Sequence, residues 1–177
     1  MPFSFLTAGD NPPHEVNVFI EITKGVEPVK YEVDKKTGLL FVDRFLKTPM
    51  FYPGNYGFIT GTLSGDGDPC DALLVGSPPV VPGAIVRGRP VGVLMMEDEA
   101  GLDEKIITVP MGRLDNIKEY TGLSKETQNL IEHFFMHYKD LDEGKWTKII
   151  RWGGVDEAHK LIMEGIERAK QQKGPQE

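Results

Sequence analysis

Short, evenly spaced strand patterns without helices between them occupy the first two-thirds of the chain. Residues 29–34 alternate strictly, so Val29, Tyr31 and Val33 share one face and the polar side chains share the other. Because several such segments follow one another directly, they favour a small closed or partly closed barrel. The predicted strands comprise residues 16–22, 29–34, 39–44, 72–75, 84–96 and 105–110.

Two helical patterns and one more strand pattern fill the last third. Ser124 is placed to cap a helix over residues 125–138, and residues 155–169 carry apolar side chains at helical spacing. Residues 145–152 are typical of a strand. We therefore expect an α+β fold, mainly β, that forms one domain over residues 1–177 and ends in a polar tail, residues 171–177, that frays. The predicted apolar face of the first helix comprises Leu130, Ile131, Phe134, Phe135 and Tyr138.

Charge and cysteine content argue against several classes of partner. Twenty basic residues stand against 27 acidic ones, and the net charge of -7 disfavours binding to nucleic acid. Cys70 is the single cysteine, so no internal disulfide can form and a reducing cytosol is favoured. The first residues lack a signal-peptide pattern and no long apolar run follows, so we expect a cytoplasmic protein without a membrane partner.

An acidic loop over residues 65–71 indicates a divalent cation. It places three carboxylates within six residues, with no Lys or Arg among them. Carboxylates this close repel one another unless a cation intervenes, and Mg²⁺ or Ca²⁺ suits oxygen ligands. The loop does not match a calcium-binding EF-hand, which needs an acidic residue at position 5, Gly at position 6 and Glu at position 12. Counted from Asp66, those positions are Cys70, Asp71 and Ser77. Magnesium is therefore predicted here, and a solvated acidic turn is the alternative.

A second acidic group, residues 97–105, follows the longest apolar segment. Groups that could hold an anion occur at Lys30, at Arg44 and at Tyr138-Lys139. Each of these features, taken alone, is also typical of a solvated surface. Together they supply what metal-assisted phosphoryl transfer needs, namely carboxylates for Mg²⁺, cations for phosphate oxygens and a carboxylate that accepts a proton from water.

The acidic loop resembles the signature of the family I soluble inorganic pyrophosphatases, bacterial type. Further segments fall in the family's order and spacing between about Glu15 and Trp146. The resemblance implies an OB-like five-stranded barrel with two helices packed outside it, and Mg²⁺-dependent hydrolysis of pyrophosphate to two phosphates. The matching segments are Glu21, Lys30-Tyr31-Glu32, residues 41–44, residues 51–57, Asp66-Gly67-Asp68-Pro69-Cys70-Asp71, residues 89–93, residues 98–101, Asp103, Lys105, residues 133–135 and residues 137–140.

The resemblance also implies a set of metal ligands for three to four Mg²⁺ ions per active site. Asp66, Asp71 and Asp103 would hold the tightest ion, and Asp71 would also reach a second. Asp98 would join Asp103 at a third ion brought by the substrate, and Glu32 would meet a fourth.

Roles in catalysis and substrate binding follow from the same resemblance. Asp68 would act as general base and accept a proton from a water molecule shared by two metal ions. Lys105 and Tyr56 would line the site and stabilise the charge of the attack, while Glu21 would support the ligands without coordinating. The expected pyrophosphate-binding residues are Lys30, Arg44, Tyr56, Tyr138 and Lys139.

His133, His137 and Asp140 share one face of the first helix. The resemblance places this face at a subunit contact of a homo-oligomer, by analogy with bacterial members a hexamer. Because the two histidines are four residues apart, a transition-metal site that includes Asp140 is the alternative.

Two other functions remain open from the residues alone. An OB-like barrel could be an oligonucleotide-binding module, although the acidic charge counts against it. A phosphatase could use Asp66 as a covalent nucleophile and Asp68 as acid and base. That arrangement normally follows a long apolar strand, whereas Gly61-Thr62-Leu63-Ser64-Gly65 precedes Asp66 here.

Overall fold

The computed structural model describes residues 6–34 and 36–173. Residues 174–177 of the predicted tail lie outside the described residues, whereas residues 171–173 are helical and not frayed. The elements in chain order are β1 (Val16–Ile22), β2 (Val29–Val33), β3 (Leu40–Phe45), β4 (Asn55–Ile59), β5 (Asp71–Leu74), β6 (Ile85–Asp98), β7 (Gly101–Pro110), a 3-10 turn (Tyr120–Gly122), α1 (Lys125–His137), β8 (Thr147–Gly153) and α2 (Val155–Lys173).

Five strands close into a ring in the order β1, β4, β5, β7 and β6, because β6 also pairs with β1. The pair β5 and β7 is parallel, and the other ring pairs are antiparallel. The long strand β6 pairs with two strands of the ring. Its residues 85–88 pair with β1, and its residues 88–98 pair with β7. Strand β8 lies outside the ring against β6. The predicted fold, mainly β with a five-stranded barrel, is confirmed.

Side-chain alternation along the strands divides the core into two clusters. Ala72 and Leu74 of β5 belong to one cluster, in which α2 contributes Ala158 and Ile162. Leu73 of the same strand belongs to the other cluster, which lies on the opposite face and is covered by α1. The two helices thus bury their apolar sides against opposite faces of the strands.

Several sequence-based predictions need correction. Strand β4 was not predicted, because four of its five residues are buried and the segment shows no apolar–polar alternation. Leu130 does not belong to the buried face of α1, since it is 55% exposed. Ser124 does cap α1, and its side chain accepts a hydrogen bond from the amide of Thr127.

Strand β7 begins at Gly101, four residues before the predicted start, because it pairs with β6 along that length. None of the helices in the described part of the chain is long and apolar enough to cross a membrane.

Candidate active site

Four of the predicted site residues share one face of the sheet, namely Tyr56, Asp71, Asp103 and Lys105. Tyr56 of β4 lies opposite Leu73 of β5, and Asp71 is two residues before Leu73 on the same strand. Asp103 and Lys105 precede Ile107 of β7 by four and two residues, so the alternation puts all of them on the face covered by α1. The fold therefore gathers residues that are 49 positions apart in the chain.

Lys105 is the centre of this group. Its Nζ atom lies 2.7 Å from Oδ2 of Asp71 and 2.8 Å from Oδ1 of Asp103. It also donates a hydrogen bond of 2.8 Å to the hydroxyl of Tyr56. The Lys105 side chain is 4% exposed, so a buried ammonium group joins two carboxylates and a phenol.

The charge of Lys105 is stabilised by these partners. Burial alone would lower the pKa of the ammonium group, but Asp71, Tyr56 and Asp103 outweigh burial and raise it well above its ordinary value. Burial, with a further contribution from Asp71, raises the pKa of Tyr56. At neutral pH the group therefore contains a charged lysine and a protonated tyrosine.

A second ion pair joins the end of β6 to the end of α1. Nζ of Lys139 lies 2.9 Å from Oδ2 of Asp98 and 3.6 Å from Oε1 of Glu99. Asp98 also accepts a hydrogen bond from the amide of Ala100, which fixes its carboxylate in the β6–β7 turn. Burial opposes the charge on Asp98, but the bonds from Lys139 and Ala100 prevail and lower its pKa.

The hairpin of β2 and β3 presents a third group, in which Lys30 and Arg44 are cross-strand partners. Nζ of Lys30 lies 3.8 Å from Glu32 and 3.6 Å from Asp43, and Asp43 is also 3.9 Å from Arg44. Asp43 was given no role from the sequence. The structure shows that it is the carboxylate that both cations approach.

The acidic loop folds as a tight turn. Oδ1 of Asp66 accepts a hydrogen bond from the amide of Asp68, and the carbonyl of Asp68 accepts one from Ser64. Gly67 has φ of +88°, a conformation that residues with side chains rarely adopt. The loop therefore holds Asp66 and Asp68 at the start of β5, just before Asp71.

Glu21 of β1 lies within electrostatic reach of several of these groups. The pKa of Glu21 is raised from its ordinary value of 4.5 to about 8. Burial is the main cause, and the nearby charge of Asp71 is the next. Lys30 opposes this rise. From the sequence Glu21 is expected only to support the metal ligands, because a single Glu in a strand pattern carries no signal of burial.

Tyr138 connects the aromatic part of the core to the charged groups. It is 9% exposed and stacks on Phe134 at 5.3 Å between ring centroids. Burial raises the pKa of its hydroxyl, which Lys105 and Lys139 partly offset. Tyr138 thus stands beside both lysines as a neutral group.

The donor set suits magnesium, although the predicted ligands do not all converge. Among residues 6–34 and 36–173, no three His, Cys, Asp or Glu side chains meet at metal-binding distance. Asp71 and Asp103 do meet at one cation, the ammonium of Lys105, and their oxygens are of the type that Mg²⁺ prefers. The other three predicted ligands make contacts elsewhere: Asp66 with the Asp68 amide, Asp98 with Lys139, and Glu32 with Lys30.

Comparison with known proteins identifies the family of this chain. The family model described as inorganic pyrophosphatase matches residues 18–170. The inorganic pyrophosphatase of Bradyrhizobium diazoefficiens is 58% identical over 178 residues, which cover 98% of this chain and 100% of that protein. The inorganic pyrophosphatase of Brucella suis is 54% identical and covers 96% of this chain and 99% of its own length.

Solved structures agree with the sequence comparison. The inorganic pyrophosphatase of Thermus thermophilus superposes with a TM-score of 0.89 at 41% identity, over 93% of this chain and 97% of that one. The Helicobacter pylori inorganic pyrophosphatase gives a TM-score of 0.87 at 41% identity, over 93% and 98%. Sequence and fold therefore lead to the same assignment, and the chain belongs to the inorganic pyrophosphatase family.

Proposed function

We propose that this chain hydrolyses inorganic pyrophosphate to two phosphates, with three to four Mg²⁺ ions per active site. Family membership supports the activity. The structural observation that best supports an active site here is that Asp71 and Asp103 both contact the buried ammonium group of Lys105. The Asp98–Lys139 ion pair adds a further carboxylate and cation. Oxygen donors of this kind suit Mg²⁺, and lysines beside them suit a phosphate.

The metal ligands in this proposal are carboxylates of the acidic loop, the hairpin and the β6–β7 region. When bound, Mg²⁺ supplies positive charge that neutralises pyrophosphate and lowers the pKa of the attacking water. The ligands are Asp66, Asp71, Asp98, Asp103 and Glu32.

Cations of the chain hold the phosphate oxygens that do not react. Lys139 approaches from the end of α1, while Lys30 and Arg44 approach from the hairpin. Each of these cations is already close to a carboxylate, so its position is defined before the substrate arrives. The hydroxyls of Tyr138 and Tyr56 are protonated donors, and Lys105 stabilises the negative charge that develops.

Asp68 accepts the proton. As the water oxygen bonds to phosphorus, the bond from that phosphorus to the bridging oxygen breaks, and the second phosphate leaves. The water proton passes to the Asp68 carboxylate, which the loop holds between Asp66 and Asp71.

Phosphate release is the test. The purified chain should release phosphate from pyrophosphate with Mg²⁺ much faster than from ATP or p-nitrophenyl phosphate, and Asp68→Asn should lose most of this activity. Asp10→Asn is the matched control, because the Asp10 side chain is 82% exposed, and it should keep full activity. Equal rates on all three substrates would contradict the proposal. A phosphoenzyme trapped on Asp66 would instead favour the covalent phosphatase.

We also propose a homo-oligomer, a hexamer by analogy with bacterial members, located in the cytoplasm. The free thiol of Cys70 suits a reducing compartment. His133, His137 and Asp140 are assigned to a subunit contact, because α1 leaves this polar face uncovered within the described chain.

A further inference from the structure

Helix α2 holds the stem of the acidic loop, residues 62–64, by both backbone groups of one residue. The amide of Leu63 donates a hydrogen bond of 2.9 Å to the carbonyl of Gly165. The carbonyl of Leu63 accepts a hydrogen bond of 3.3 Å from Nη1 of Arg168. Gly165 and Arg168 are three residues apart, so they lie on the same side of the helix. Leu63, three residues before Asp66, is therefore fixed by one face of α2.

The close contact between helix and stem depends on the missing side chain at position 165. A Cβ atom there would lie 2.8 Å from Sγ of the buried Cys70 and 3.2 Å from the carbonyl oxygen of Leu63. Real Cβ atoms essentially never come within 3.0 Å of another heavy atom, so alanine would force the helix and the stem apart. Glycine is a poor residue for a helix interior, and here it allows the approach of the loop.

The stem in turn holds the two ends of the acidic loop together. Oγ1 of Thr62 accepts a hydrogen bond of 3.1 Å from the amide of Cys70, at the far end of the loop. The amide of Ser64 donates a hydrogen bond of 2.7 Å to the carbonyl of Asp68. A shift of the stem is therefore transmitted to Asp68 and to the start of β5.

Packing leaves open space beside this junction. A cavity of about 410 Å³ is lined by residues of the acidic loop, of the β6–β7 hairpin and of α2, among them Asp66, Leu102, Leu161 and Arg168. Side chains that filled this space would hold the loop by close contact. Because the space is open, the hydrogen bonds from α2 are needed to restrict the position of the loop.

We propose that Gly165 and Arg168 are positioning residues of the active site. By holding Leu63, they keep the carboxylates of Asp66 and Asp68 in place. This role rests on the proposed function, in which Asp66 binds Mg²⁺ and Asp68 accepts the proton. Both residues of α2 act through the loop and not on the substrate.

A displaced acidic loop should lower turnover more than it weakens substrate binding. The cations proposed to hold pyrophosphate are Lys30 and Arg44 on the β2–β3 hairpin and Lys139 just after α1. These elements do not include the loop or its stem. Small displacements of a catalytic group cost rate steeply, so kcat is expected to fall while KM for pyrophosphate is kept.

Variants of the two helix residues test this role. Arg168→Met removes the bond to the Leu63 carbonyl, and the chain should still fold because the Arg168 side chain is 43% exposed. Gly165→Ala introduces the close contact with Cys70. Each variant should lower kcat at least about fivefold and change KM by less than about twofold. Adding Cys70→Ala to Gly165→Ala removes the closest atom and should recover part of the loss.

Lys160→Met is the matched control. Lys160 lies on the same helix and pairs with Glu164, as Arg168 does, and its side chain is 75% exposed. This variant removes the same charge from α2 and should keep the kcat of wild type.

Amide hydrogen exchange, followed by NMR in EDTA, reports on the loop without substrate or metal. The amides of Ser64 and Gly67 form hydrogen bonds within the loop. In Arg168→Met and in Gly165→Ala they should exchange at least about threefold faster than in wild type, while amides in the middle of β6 keep their rates. Lys160→Met should exchange as wild type does.

Wild-type exchange at Ser64 and Gly67 in either of the two α2 variants would overturn the positioning role. So would faster exchange with an unchanged kcat. A loss of kcat in Lys160→Met equal to that in Arg168→Met would also overturn it, because the charge of the helix would then be the cause. If wild type fails to hydrolyse pyrophosphate, the proposed function fails, and the exchange rates still decide whether α2 holds the loop.

Discussion

Nζ of Lys105 lies 2.7 Å from Oδ2 of Asp71, and this contact spans the parallel strands β5 and β7. The lysine end of the pair is 4% exposed and the aspartate end 35%. The ammonium group is thus sealed in the protein, while the carboxylate keeps access to solvent. Because Asp71 is bound by the buried Lys105 and is also exposed to solvent, its carboxylate can exchange this partner for a cation from solution.

Removing the Lys105 charge should destabilise the metal-free protein. Lys105→Met leaves Asp71 and Asp103 facing each other without a cation, and breaking such a buried pair costs about 2 to 4 kcal/mol in the free energy of unfolding. Urea denaturation in EDTA measures this loss. Lys30→Met is the control, because its side chain is 31% exposed and should cost less than about 1 kcal/mol. Equal losses in the two variants would contradict the buried-pair argument.

Asp68→Asn should separate proton transfer from metal binding, if Asp68 is the proposed general base. The backbone of residue 68 makes the turn's hydrogen bonds to Asp66 and Ser64, and asparagine keeps that backbone. We expect kcat to fall by about 10² to 10⁴ with the fold and most of the Mg²⁺ affinity retained. Steady-state phosphate release and calorimetry measure the two quantities. Near-normal turnover would remove Asp68 as general base.

Asp71→Ala should behave differently from Asp68→Asn. Asp71 is one of the two carboxylates that converge on one cation, so its loss should weaken Mg²⁺ binding at least about tenfold as well as lowering kcat. The same calorimetric titration, run beside Asp68→Asn, gives the comparison. An unchanged Mg²⁺ affinity in Asp71→Ala would show that Asp71 is not a ligand.

Glu21 should make metal-free stability depend on pH. The folded chain holds the Glu21 proton up to a pKa of about 8, whereas the ordinary value is 4.5. Between these values the folded state binds more protons than the unfolded state, so stability falls as pH rises through that window. Glu21→Gln should therefore gain about 1 to 4 kcal/mol relative to wild type between pH 5 and pH 8. Denaturation in EDTA at both pH values measures this, and Glu143→Gln, which is exposed, should show no such gain.

Local signals account for the elements that could be predicted from the sequence. Strand β1 matches its predicted bounds, and α1 begins where Ser124 caps it. Strand β4 has a uniformly buried pattern, and its place in the ring depends on partners far along the chain. No short-range pattern could reveal such a strand.

In the candidate site, too, some features could be predicted from the sequence and others depend on contacts between distant residues. The residues proposed for it come from motifs that resemble a family. The bond between Lys105 and Asp71 joins residues 34 positions apart, and the shifted pKa of Glu21 comes from burial, so neither could be predicted from sequence.

The polar face of α1 leads to a prediction about assembly. His137 already pairs with Asp140 in the same chain at 2.8 Å, and His133 stacks beside it. In the proposed homo-oligomer this face would meet its own copy across a two-fold axis, so protonating the imidazoles would bring like charges together. We expect the assembly to separate into smaller units near pH 5, and His137→Gln to reduce that pH dependence. Sedimentation between pH 5 and pH 8 measures the mass. A constant mass in wild type, or an identical profile in His137→Gln, would exclude these residues from the contact.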